Sequence, residues 1–451
     1  MRYRPLAIVG LLVASAIIIP AAQSAAKSPT PNTPDRPPLP PAGVAIPVAK
    51  PRPLAPMKAL PRSATVKDYQ RAVAKYAEQS GQSYAVDSSS FATNKRYARA
   101  AAGEPDVPGS FSYLTVPECR DRGDTMIPVE QGGTGRIYNH WQWCGWQSRY
   151  TKHEIKTTYF GPFTEVGALL NRQTVMGWGS QSTTEVTVRV YVDQINSPAG
   201  SDITAANSTL TAIPSCTDVF GNGSCSFSQP QYSMPFIDLQ AGNIIEFKAM
   251  VTLPPETPEN PDRVTGMNLN VRFAVTSSAT PGWAPTSGSY TASIRCDQSK
   301  SGEFQNKPGC IFNGVIPYYS LKIGDPAVGQ VAEHIHQALT DPDSTSPQTS
   351  GPKMIPWEIH RETDSARQRA NRDKATDACN RVYGEERPEG KQCDEYPFAA
   401  SEEGAAARDG DAHYSVALID KSHNETEGGQ RSAWLKADRI IDGDLFRVVA
   451  N

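Results

Sequence analysis

The sequence predicts a multidomain protein, in which an antiparallel all-β module, sandwich-like or jelly-roll-like, precedes a small α+β domain. Three observations predict it. Between about Ser110 and Ile323 apolar and polar residues alternate at period two, the mark of strands with one buried face. Around Asp325 the period becomes helical. From Thr340 to Pro352 the stretch TDPDSTSPQTSGP has the composition of an exposed boundary, so a second domain begins at Lys353.

Residues 1–26 read as an export signal: Arg2 and Arg4, an apolar run from Leu6 to Ile19, then small residues around Ala22, Ser24, Ala25 and Ala26. A secreted, extracellular protein is the expectation. The apolar run is too short for a stable membrane helix, and no other run approaches the roughly 20 residues a span needs. The first cysteine is Cys119, so no lipid-anchor cysteine follows the signal. Residues 27–63 are Pro-rich and read as an extended spacer. Residues 64–109 are a short helical and irregular segment, with Val66, Tyr69, Val73 and Tyr76 on one helix face and Gly81 as a stop.

The β-rich module spans 110–339. Its clearest strands bury Val186, Val188, Val190 and Val192 in TEVTVRVYV, and Ile245, Phe247, Ala249, Val251 and Leu253 in IIEFKAMVTL. MNLNVRFAV buries Met267, Leu269, Val271, Phe273 and Val275; YTASIRC buries Tyr290, Ala292, Ile294 and Cys296. The module closes on a helix with Asp325 as N-cap, Pro326 at its first position, and Val328, Val331, Ile335 and Leu339 on one face. After the linker, 340–352, the domain 353–451 carries a helix from about Asp364 to Cys379, the acid loop CDEYPFAASEEG, and a strand at HYSVALID. A loop at SHNETEGGQ, a short helix at RSAWLKA and a hairpin turning at Asp442–Gly443 complete it.

Eight cysteines in an exported chain read as disulfides, and their spacing suggests Cys119–Cys144, Cys216–Cys225, Cys296–Cys310 and Cys379–Cys393. The absence of a CxxC pair argues against zinc-ribbon and thioredoxin-like sites. A net charge of −3 excludes a strongly basic nucleic-acid coat without excluding an enzyme that handles DNA through a metal. No G-x-S-x-G, HExxH or P-loop pattern is present, which removes the common serine hydrolase, zincin and nucleoside-triphosphatase readings. The Trp-dense HWQWCGW reads as an aromatic core beside a disulfide rather than a ligand platform. His334 and His336 stand two apart on a helix, face different ways and read as no metal pair, while His413 and His423 read as surface or strand-end residues.

The acid loop is the chemical signal. Asp394 and Glu395 follow Cys393, and Glu402 and Glu403 follow a few residues on; charges this dense repel unless solvated or shared with a metal or a proton. A polar cluster with His423, Asn424, Glu425 and Glu427 follows the next strand, whose pairing would return it to the acids. CDEYPFAASEEG, a strand, SHNETEGGQRSAW and IIDGDLFRV, in this order, resemble the bacterial extracellular deoxyribonucleases NucA and NucB.

That resemblance covers only the last hundred or so residues. It implies a small ββα-metal nuclease fold holding one divalent metal, Mg²⁺ or Mn²⁺, and DNA as substrate, cut with little sequence preference, with RNA left open. By motif position, Asp394 and Glu395 fall where the family keeps its general base and catalytic acid groups, Glu402 or Glu403 adds a further acid, and Asn424 falls at the metal-binding Asn. Most ββα-metal enzymes outside this family use a His as base; a carboxylate with a raised pKa would serve here. A nearby arginine, Arg372, Arg381 or Arg387, would relieve phosphate charge.

Two features depart from the pattern. His423 replaces the acid that usually precedes the Asn. From Lys353 on, 15 Lys and Arg face 20 Asp and Glu, so phosphate binding would be weak and sequence-blind. The rival readings are an extracellular binding or adhesion protein with a degenerate nuclease-like tail, and glycoside hydrolysis by carboxylates about 5 to 9.5 Å apart. The partner of the β-rich module stays open.

Overall fold

Alternation at period two becomes two six-stranded sheets in the computed structural model. The structure describes residues 55–91, 105–121, 133–156, 163–220, 223–286, 289–301, 304, 306–407 and 413–451; the expected signal and most of the Pro-rich spacer lie outside them. The first sheet runs Arg136–Asn139, Gln142–Lys156, Phe163–Trp178, Glu185–Asn196, Ile245–Thr252, Ser224–Phe227, antiparallel throughout. The second runs Gly309–Phe312, Tyr290–Asp297, Thr265–Ser277, Ser208–Asp218, Tyr232–Pro235, with Gly133–Thr134 set parallel beside Tyr290–Asp297.

The predicted strands fall where the alternation puts them. Val190 stands opposite Ile245, Val188 opposite Phe247 and Val186 opposite Ala249, so each rung buries an apolar pair. These join Leu269, Val271, Phe273, Ala292 and Ile294 of the second sheet in one hydrophobic cluster, and of the predicted set only Leu253 is left partly exposed. All four expected disulfides form, and Cys216–Cys225 links the two sheets. Trp141 and Trp143 are buried beside Cys119–Cys144, as the aromatic-core reading expects.

Helix α1 (Val66–Ser80) starts in a capping box at Thr65 and stops at Gly81, whose φ of 66° favours glycine. Its Tyr69 stacks on Phe220 beneath the second sheet and accepts from Asn313 Nδ2 at 2.6 Å. Next in the chain come β1 (Ser83–Asp87), β2 (Ile316–Leu321), α2 (Gly329–Thr340), β3 (Glu358–His360), α3 (Ser365–Tyr383), β4 (Lys391–Tyr396), β5 (Ser415–Asp420), α4 (Lys421–Ala437) and β6 (Leu445–Ala450). A four-stranded sheet has the order β1, β2, β6, β3, in which β3 alone is antiparallel to its neighbour. β4 and β5 form a separate antiparallel pair. The protein is thus mostly β, with a small α+β region toward its C-terminus.

Three expectations are corrected. Helix α2 begins at Gly329: Asp325 closes a turn just before it, its carboxylate accepting from Ala327 N and its carbonyl from Gly329 N. The predicted loop SHNETEGGQ is the first half of α4, where burial of Trp434 and Leu435 outweighs the low helix propensity of Gly428 and Gly429. The closing hairpin does not form. Gly443 does sit in the predicted turn, at φ 77°, but the strand after it, β6, inserts between β2 and β3.

The segment 340–352 lies between α2 and β3, and elements on both sides of it pack together. Val331, Ile335 and Leu339 of α2 share a cluster with Tyr396, Ile419, Trp434 and Phe446. Fragment 350–451, stripped of α2 and β2, is therefore expected to melt without a cooperative transition where residues 55–451 give one. A sharp melt of the fragment with a native near-UV spectrum would refute this.

Candidate active site

β4 and β5 pair with Asp394 opposite Ala417 and Glu395 opposite Val416. Successive side chains on a strand leave by opposite faces, so the two acids face different neighbours. The Cys379–Cys393 bond anchors β4 to α3, and α4 follows β5 without a break.

On one face Asp394 is buried. Its Oδ2 lies 2.7 Å from His334 Nδ1, and the ring's Nε2 lies 2.8 Å from Ser415 Oγ. An ionised carboxylate only accepts, so Nδ1 donates. Gln330, one turn earlier on α2, donates to Asp420 and accepts from the Asp420 N–H at 2.8 Å. Helix α2 thus holds both β4 and the start of α4.

Helix α4 turns Asn424, Glu427 and Arg431 to the same side, three and four residues apart. Asn424 donates from Nδ2 to the Cys393 carbonyl at 3.1 Å and to Gln392 Oε1 at 3.2 Å. Glu427 accepts from Arg431 Nε and Nη2 at 2.9 and 3.2 Å, and the guanidinium carbon lies 3.7 Å from the centre of the Phe398 ring. Burial pushes the Glu427 carboxyl up despite Arg431.

Glu395, on the other face, is only partly buried and accepts the Ala399 N–H on Oε1 at 3.1 Å. Burial first, and the Asp394 charge second, push its carboxyl up to about 7, against the pull of Arg431 and Arg372. A carboxylate at this pKa, within reach of solvent, is suited to take a proton from water near neutral pH.

The loop after β4 is pinned from α3. Asn371 donates to the Ala399 and Ser401 carbonyls at 2.9 and 3.2 Å and accepts the Ala406 N–H at 2.9 Å. The approach is so close that a Cβ at Gly404 would lie 2.3 Å from Asn371 Nδ2, which explains the glycine after the second acid pair. Tyr396 and Phe398 are buried edge to face, so they line no sugar-sized groove.

The predicted site residues divide into two groups. Asp394, Glu395 and Asn424 come together at β4. Glu402 pairs with Lys67 at 3.0 Å and Glu403 with His360 Nδ1 at 2.7 Å, toward α1 and β3. Although burial opposes it, the Glu403 carboxylate holds His360 above its usual pKa. Of the three arginines proposed for phosphate, Arg372 acts on Glu395, Arg381 lies near Tyr414, and Arg387 is bonded to Asn380.

His334 and Arg431 were missed by sequence reasoning. His334 lies in register with buried Val331 and Ala338, so its place on the α2 stripe was a readable signal. Arg431 becomes readable only once α4 is known to run through its glycines.

Among the described residues, no group of three or more His, Cys, Asp and Glu could hold a metal ion, and no helix is long and apolar enough to cross a membrane. The donor chemistry still fits a hard cation that keeps much of its water. Both bonds of Asn424 use its nitrogen, which leaves Oδ1; His334 takes one oxygen of Asp394, which leaves the other.

Residues 350–449 match the family Deoxyribonuclease NucA/NucB. No curated protein and no solved structure matches the chain. The NucA/NucB match spans β3 to the end of β6 but for its last residue, and takes in both acids, Asn424 and Arg431. It excludes α2, so His334 and Gln330 reach the NucA/NucB domain from outside the matched residues. Four disulfides in the same chain fit an extracellular setting.

Proposed function

We propose that the protein is a secreted, metal-dependent endonuclease that hydrolyses DNA phosphodiester bonds with little sequence preference. The observation that carries this reading is Glu395, a carboxyl at about 7 beside a second carboxylate, within the NucA/NucB match. In this scheme Glu395 takes the proton of the attacking water. Asp394 keeps that base strong through its charge. Arg372, exposed on α3 and near enough to act on Glu395, is suited to meet the phosphate. Asn424 Oδ1 would hold Mg²⁺ or Mn²⁺, which when bound supplies relief of charge on the phosphodiester.

The succession β4, β5, α4 supports a ββα-metal arrangement, and the shared cluster of the two six-stranded sheets supports a β sandwich. The sandwich would position or regulate the nuclease. An excess of acids in the region implies weak binding that salt weakens further.

Plasmid nicking by the purified protein tests the reading. Cleavage is expected with Mg²⁺ or Mn²⁺ and is expected to stop on addition of EDTA and in Glu395→Gln. Absence of nicking by a protein with all four disulfides formed would refute it, and undiminished nicking in EDTA would refute the metal requirement.

A further inference from the structure

We infer that His334, on a helix outside the residues that match the nuclease family, is a positioning residue of the nuclease site, fixing the carboxylate of Asp394 from below β4. This rests on the nuclease reading above and adds to it a part of the site that lies elsewhere in the chain.

The geometry is that of a clamp. The imidazole is buried and anchored at both nitrogens, to Asp394 at 2.7 Å and to Ser415 at 2.8 Å, so the ring cannot turn without breaking two bonds. Its helix is fixed in turn: Gln330 engages Asp420 twice, Gln330 N donates to His423 Nδ1 at 3.2 Å, and Val331, Ile335 and Leu339 lie in the core. Asp394 therefore takes its position from a rigid element. Glu427 and Arg431 of α4 feel the charge of Asp394 but are paired with each other, and His334 is the group bonded to Asp394 Oδ2.

The order Ser415, His334, Asp394 also resembles a nucleophilic triad, but Ser415 has no exposed surface and no substrate can reach its hydroxyl. The chain of bonds orients Asp394 and attacks nothing. A carboxylate displaced by even about 1 Å is enough to cost on the order of 100-fold in rate.

The test compares two amide side chains. Asn places its nitrogen where Nδ1 stands and can keep the bond to Asp394; Gln reaches toward Nε2 and Ser415 and loses it. His334→Gln is expected to lower kcat for DNA cleavage by about 10- to 100-fold with little change in KM, and His334→Asn to recover most of that loss. In an Asp394→Asn background, His334→Gln is expected to cost almost nothing more, because the two changes remove one interaction. Glu395→Gln and the unmodified protein are assayed in parallel. An unmodified protein that does not cut DNA defeats the nuclease reading. If DNA is cut and Glu395→Gln is inactive, equal kcat in the two position-334 variants, or full additivity with Asp394→Asn, overturns this inference alone. Failure of both position-334 variants to fold would make His334 a core residue only and overturns it as well.

Discussion

Glu395→Gln is expected to lower DNA cleavage by about 10²- to 10⁴-fold, the usual contribution of a general base, while the folded protein stays at least as stable. The reason lies in what holds the carboxyl at about 7. Burial and the Asp394 charge both disfavour its ionised form, so a neutral amide of the same shape suits the position. The folded state binds the Glu395 proton more tightly than the unfolded chain does. Its contribution to stability is therefore present at low pH and is lost as pH rises from the ordinary carboxyl value through about 7. The Tm of the Gln variant relative to the parent should rise between pH 5 and pH 8. Activity should move the other way in the parent, climbing through about pH 7 as the base loses its proton and then levelling. A rate that falls with pH across this range, or a Gln variant with substantial activity, would remove Glu395 from the role.

The second large effect concerns stability. Asp297→Ala is expected to destabilise the protein by about 3–5 kcal/mol, the cost of breaking a buried ion pair on one side. Asp297 has no exposed surface, accepts from Arg439 at 2.7 Å and lies 3.3 Å from Arg295, which in turn pairs with Asp444. Removing it leaves two buried guanidiniums short of charge. Two of these residues belong to the strand Tyr290–Asp297 and two to the turns before β6, so the loss loosens the join between the β-rich module and the nuclease domain. The urea midpoint measures it; a change below about 1 kcal/mol would show that the network contributes little. Cleavage by the fraction still folded should stay near the parent's rate, since none of the four residues touches Asp394 or Glu395.

The sequence made the sheets legible because their signal is local. Val186 to Val192 and Met267 to Val275 alternate strictly, and a strand with one buried face needs nothing more to be seen. The cysteine pairs that spacing suggested, among many connectivities open to eight cysteines, are the ones that form. The acid pair at 394 and 395 was visible as a dense charge and as a motif, but its two-sidedness was not, because that follows from the pleat. Helix α4 was misread at Gly428 and Gly429, where propensity argued against a helix that tertiary burial of Trp434 and Leu435 sustains. The partner of Asp394 was the hardest to see. His334 stands 60 residues earlier, beyond a segment that looks like a linker, and only the packing of α2 brings it home.

The place of β6 between β2 and β3 also sets an order of events. Arg447 meets Tyr318 across 129 residues of chain, so the four-stranded sheet cannot close until almost everything between has been made and threaded. α2 rests on β6 through the same core, and with it rests the histidine under Asp394. A polypeptide emerging from its N-terminus can shape its β-rich module early. The acids must wait for their support, so a site assembled in this order is complete only once β6 has joined its sheet.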